Sequence, residues 1–141
     1  MADHTTYGLV CSELSDDLSK TNLGELKLDS FDFNSVKISI KAASLNFPDL
    51  LMTQGKYQNR PELPFALGME GSGIVEKIGS EVKNFDVGNK IAYASMPIGA
   101  YSQQRIIPAK IAVKIPIGIS CLLYTSPSPR DATLSRMPSS A

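Results

Sequence analysis

The residues most able to do chemistry lie in two short stretches, Leu45-Asn46-Phe47-Pro48-Asp49 and Gly68-Met69-Glu70-Gly71-Ser72-Gly73, with Tyr57 between them. Asn46 supplies a donor and an acceptor but no thiolate. Tyr57 carries a phenol, a group that keeps its proton at neutral pH and can give it up to a substrate. Asp49 and Glu70 are two carboxylates that could work as an acid/base pair or as ligands. Met69 offers a thioether, a poor donor for Zn²⁺, which prefers thiolate, imidazole and carboxylate. His4 is the only histidine and lies far upstream. These residues therefore point away from a metal site.

Each residue also has a plainer reading. Asn46 is well placed as a helix N-cap, and that role is compatible with a place in an active site. Asp49 fits the first turn of the same helix, where a carboxylate is favoured by the helix dipole. Tyr57 is also the kind of amphipathic aromatic that packs at the edge of a core. Glu70 could simply bond nearby backbone. Gly68, Gly71 and Gly73 do not form a dinucleotide fingerprint, which needs G-x-G-x-x-G after a strand and at the opening of a helix. They precede the β-rich run Ile74-Val75-Glu76-Lys77-Ile78 and are read as allowing tight turns and close backbone approach at a cleft.

The elements that must position these groups are mostly strands. Residues 36–42 alternate apolar and polar side chains, as a half-buried strand does. Residues 6–11, 25–28, 73–78, 90–94, 100–107 and 112–115 are further strand candidates, separated by turn signals such as Gly79-Ser80 and Gly88-Asn89. One helix is expected over 47–54, with Asn46 at its start, Pro48 in its first turn and Gly55 past its end. The fold class is therefore mainly β with a short helix, arranged as a barrel or sandwich.

Composition narrows the function. The chain has 141 residues, with 14 Lys and Arg balanced by 14 Asp and Glu. No basic stripe recommends nucleic acid or an anionic membrane as a partner. Of the two cysteines, Cys121 falls in the non-native segment set apart below, and Cys11 alone allows no disulfide framework. No stretch has the length of a membrane span and no leader pattern opens the chain, so a soluble, cytoplasmic setting is expected.

Taken in order, residues 45–49, Gln54-Gly55-Lys56-Tyr57, Leu63-Pro64, residues 68–75, Val87-Gly88-Asn89-Lys90-Ile91, Gly99-Ala100-Tyr101-Ser102 and Val113-Lys114-Ile115-Pro116 resemble the N-terminal, GroES-like domain of the medium-chain dehydrogenase/reductases. The similarity is to their zinc-independent NADPH:quinone oxidoreductase branch and covers residues 36–120. In the zinc enzymes of that family, the positions of Asn46 and Met69 hold a cysteine and a histidine ligand. The resemblance implies a GroES-like, partly open β-barrel, incomplete in this chain because the family's chain returns later to complete it. It implies a substrate-binding domain over 1–120, with the nucleotide-binding domain absent and the fragment inactive by itself. In an intact homodimer, NADPH would reduce a quinone or conjugated carbonyl. Asn46 and Tyr57 would meet the nicotinamide and substrate, and Leu51, Gly68, Met69 and Glu70 would line the cleft. An enoyl-thioester reductase, with Tyr57 as proton donor, and a non-enzymatic GroES-like interaction module are the alternatives.

Residues 121–131 and 135–141 resemble two translated pieces of a sequencing adapter in one frame. The segment 121–141 is accordingly expected to be a non-native, disordered tail.

Overall fold

The computed structural model describes residues 5–94, 96 and 98–125. Its elements in chain order are β1 (Thr5–Cys11), β2 (Thr21–Lys27), β3 (Ser35–Ala43), α1 (Phe47–Thr53), β4 (Phe65–Ala66), β5 (Glu70–Ile78), β6 (Lys90–Ala94), β7 (Gln104–Pro108) and β8 (Val113–Lys114), with single 3₁₀ turns at Ala109–Ile111 and Leu122–Tyr124. The strands form two antiparallel sheets, ordered β2-β1-β4 and β7-β3-β5-β6-β8. An isolated bridge between Gly8 and Ser102 joins them, and the sheets do not close into a barrel. The mainly β architecture with one short helix is as expected.

β3 is the spine of the larger sheet, with β5 on one side and β7 on the other. Its Val36 and Ile38 are fully buried and pack with Val75, Ile91 and Ile107 in the main core. Strict alternation predicts that Ser35 and Lys37 face water, yet both are buried. The chain from the end of β2 folds over this face: Lys27 to Phe31 line one cavity with Lys37, and Ser35 donates its hydroxyl to Asp32 Oδ1 at 2.7 Å. A second cluster gathers Cys11, Met52, Phe65, Leu67 and Ile98. Tyr101 packs against both clusters and so sits at their junction.

Three strand starts differ from those expected by more than one residue. β2 begins at Thr21, because it pairs with β1 over its whole length as an exposed edge strand with no apolar period to announce it. β5 begins at Glu70 rather than 73, so Gly71 and Gly73 lie within the strand. There Gly73 passes so close to the Ser39 carbonyl that a Cβ would collide with it: the close backbone approach expected of this glycine is present, within a strand and not at a turn. The stretch 100–107 is ladder only from Gln104, since the backbone N–H groups of 99–101 are drawn to the Leu67 and Gly68 carbonyls. The two-residue β4 carries no sequence signal at all. The disorder expected from 121 onward does not hold for 121–125: Cys121 is buried and its carbonyl accepts the Ser72 hydroxyl at 2.7 Å. Residues 126–141, where the rest of that expectation falls, lie outside the described residues.

Candidate active site

The site is built where the N-terminus of α1 meets the start of β5. Asn46 is extended, with φ −121° and ψ 149°, and is the N-cap residue of α1. Its carbonyl accepts the Asp49 N–H at 3.0 Å, while its own N–H donates to Asp49 Oδ2 at 2.9 Å. The helix start expected at 46 is therefore present, with Pro48 in its first turn. From this cap the Asn46 side chain reaches across to β5, where its Nδ2 donates to Glu70 Oε2 at 3.3 Å. Asn46 is thus at once the N-cap residue of α1 and a side-chain partner of Glu70.

Asp49 does more than stabilise the first turn. Although only 6% exposed, it also accepts the Met69 N–H on Oδ1 at 3.1 Å and the Tyr101 hydroxyl on Oδ2 at 2.8 Å. It thereby links α1, the turn before β5 and the segment before β7.

Tyr101 is held on both sides by backbone: its N–H donates to Leu67 O at 2.9 Å, and its carbonyl accepts the Leu9 N–H at 2.8 Å. The hydroxyl also lies 2.7 Å from Ser44 O, so one proton is shared between that carbonyl and Asp49. Burial, then the hydrogen bond and charge of Asp49, push this phenol well above the usual tyrosine range. The sign follows directly. A tyrosine deprotonates in the unfolded chain near pH ~10, before the folded one does, so the contribution is whole below ~10 and is lost as pH climbs above it. Alkaline denaturation series should show stability falling more steeply above pH ~10 in the parent than in Tyr101→Phe; parallel slopes would rule out a buried, Asp49-bonded phenol.

Gly68 lets this junction close. Its φ is +101°, and its carbonyl accepts the N–H groups of Gly99 at 2.7 Å and Ala100 at 2.9 Å. Met69 is half-buried and packs with Tyr57 and Tyr101 against the second cluster, so its thioether serves apolar packing. Tyr57 is half-buried there too; among the described residues its hydroxyl takes no hydrogen bond. Leu51 is half-buried on α1 and, among the described residues, joins neither core cluster. Asn46, Asp49, Met69, Glu70 and Tyr101 are thus connected by hydrogen bonds, Tyr57 packs on the cluster that Met69 and Tyr101 also touch, and Leu51 stands apart. Among the described residues no group of three or more His, Cys, Asp and Glu side chains gathers to hold a metal ion, and His4 lies outside them. No described helix is long and apolar enough to cross a membrane.

The alcohol dehydrogenase GroES-like domain model matches residues 32–117, well over half of the chain. The chain belongs to that family. It is similar to the quinone oxidoreductase of Pseudomonas aeruginosa, 44% identical over 84 residues, which cover 60% of this chain and 26% of the relative. Among solved structures, a quinone oxidoreductase of Pseudomonas syringae pv. tomato superposes with a TM-score of 0.76 at 32% identity, covering 82% of this chain and 35% of that one. The Escherichia coli quinone oxidoreductase complexed with NADPH gives 0.74 at 30% identity, covering 82% and 35%. Family members of the medium-chain dehydrogenase/reductase group thus surround it, and the GroES-like fold expected from the sequence is present. The chain spans about a quarter of the length of the curated relatives it matches.

Sequence reasoning did not single out Tyr101 as part of the site. Its motif was legible, but the contact with Asp49 spans 52 residues and depends on how the two clusters meet. The one available hint was the neighbouring Gly99, which frees the backbone before the tyrosine to turn.

Proposed function

We propose that residues 1–120 are the substrate-side domain of a zinc-independent, NADPH-dependent reductase of quinones or conjugated carbonyls. The observation that carries this reading is the Asn46–Glu70 pair, a neutral amide fixed on a buried carboxylate. An amide that can both donate and accept suits the carboxamide edge of a nicotinamide. No described loop has the glycine spacing that cradles phosphates, so these residues suit only the nicotinamide end of the cofactor. When bound, that cofactor supplies a hydride.

The chain's own part is to hold and to exclude. Asn46 orients the ring, with Gly68, Met69, Glu70 and Leu51 as the cleft wall. Tyr57 holds a proton ready for the reduced substrate. Leu45 and Phe47, which flank Asn46, are 84% and 69% exposed. They form an apolar rim suited to an aromatic or enone substrate and to a covering domain that keeps water out. The intact enzyme is read as a cytoplasmic homodimer with the phosphates held elsewhere, and this chain alone as inactive. Reduction of enoyl thioesters is the second reading, favoured by a Tyr57 hydroxyl that takes no hydrogen bond among the described residues. An interaction module would have little use for a network of two buried carboxylates with a half-buried amide and phenol.

NADPH oxidation by the complete reading frame tests the proposal. Tyr57→Phe should lower enone turnover on the order of 100-fold with the KM for NADPH little changed. Asn46→Ala should raise that KM. Unaltered kinetics in both variants, or zinc bound in stoichiometric amount, would overturn the reading.

A further inference from the structure

We infer that Asp49 is the positioning residue of this site: its carboxylate ties the Asn46 and Met69 backbone to the Tyr101 hydroxyl, and so sets the Asn46 amide against Glu70. The inference rests on the reading of Asn46 as a nicotinamide-facing residue. In it, one side chain without any metal takes over the cross-linking of α1 to the start of β5.

The geometry is specific to a carboxylate. Three donors converge on its two oxygens: Met69 N–H on Oδ1 at 3.1 Å, and Asn46 N–H and Tyr101 O–H on Oδ2 at 2.9 and 2.8 Å. Every group facing Asp49 in this set is therefore a donor, which an acceptor-only side chain satisfies in full. Met69 N–H precedes Glu70 by one residue, and Asn46 N–H belongs to the residue whose amide bonds Glu70. Asp49 consequently fixes the backbone at both ends of the Asn46–Glu70 contact. Tyr101 braces the carboxylate on Oδ2, the oxygen that also takes the Asn46 N–H, and is itself pinned by Leu9 and Leu67. With three hydrogen bonds already accepted and burial nearly complete, Asp49 has no part in the chemistry itself. Its work is on position.

Asp49→Asn separates positioning from bulk. The amide has nearly the same shape, but one of its two ends becomes a donor. If that end replaces Oδ1 it faces the Met69 N–H; if it replaces Oδ2 it faces the Asn46 N–H. The Tyr101 hydroxyl can adapt, because it can accept as well as donate. One of the two backbone N–H groups must therefore lose its acceptor. Hydrogen exchange of the full chain, read residue by residue by NMR, should show Met69 or Asn46 exchanging at least ~10-fold faster in Asp49→Asn, together with a shift of the Asn46 side-chain NH₂ resonances. Tyr101→Phe removes a donor and leaves both backbone bonds, so both amides should stay protected. The parent chain alone provides a further check: fast exchange at both Met69 and Asn46 there would overturn the inference. So would unchanged protection of both in Asp49→Asn, or equal loss in Tyr101→Phe, which would assign the effect to packing. These readouts involve no turnover. Failure of the Tyr57 and Asn46 kinetics would remove the reductase reading and leave the tie standing, and the reverse failure is equally recognisable.

Discussion

Gly68→Ala is expected to destabilise the chain by about 3 kcal/mol and to pull Tyr101 off Asp49. Two costs add. The first is conformational: φ at this position is +101°, where a residue with a Cβ is strained by ~1–3 kcal/mol. The second is steric, since a Cβ here would lie 2.7 Å from Tyr101 Cδ1 and 2.8 Å from Tyr101 N. The ring could swing away, but the backbone nitrogen cannot, because it donates to Leu67 O at 2.9 Å. Relief would therefore require opening the Leu67–Tyr101 and Gly68–Ala100 bonds that join the two clusters. Urea denaturation should give a midpoint lowered in proportion, with m little changed. Gly88→Ala provides the control: its φ is +91° but nothing lies within 4 Å of the added Cβ, so only the conformational cost applies. Equal losses at the two positions would show that the contact with Tyr101 adds nothing.

That comparison also marks what the sequence could and could not disclose. Asn46, Pro48 and Gly55 announced α1 because caps and helix-end glycines act within a few residues of themselves. β6 was legible to the residue for the same reason, being bounded by Gly88-Asn89 on one side. The reach of Asn46 to Glu70 could be anticipated as two groups of one cleft, through the family's ordered motifs. What stayed hidden was long-range. Asp49 was read as a first-turn carboxylate, which it is, but its other two partners come from residues 20 and 52 positions away. Gly71 and Gly73 were read as allowing tight turns and close backbone approach; the approach is present, at the Ser39 carbonyl for Gly73 and at Ala100 for Gly71, but both residues lie inside β5 and not in a turn. Lys37 was expected to face solvent because period two says nothing of what folds over a sheet face.

The second large effect is expected at Ile38, where truncation to alanine should cost about 3–4 kcal/mol. The side chain is fully buried in β3, in register with Val75 of β5 and Arg105 of β7. Deleting a buried Ile loses its transfer free energy and leaves a cavity whose cost depends on how far the surroundings collapse. Collapse is limited here. Both flanking strands are held by ladders, and the register shift between Lys37 and Ile38 already fixes how β3 lies on β5. Ile38→Val should cost only about 1 kcal/mol, and Ile40→Ala, two residues on and only half-buried, distinctly less than Ile38→Ala. The same strand runs at its far end into Ser44, whose carbonyl accepts the Tyr101 hydroxyl, and then into Asn46. Loss of the Ile38 side chain should nevertheless leave the protection of the Met69 amide unchanged relative to global unfolding, because the bond to Asp49 is closed by the second cluster and not by β3. Parallel loss at both places would instead make β3 the element that couples core packing to the site, so that stability and active-site geometry could not be varied independently in this domain.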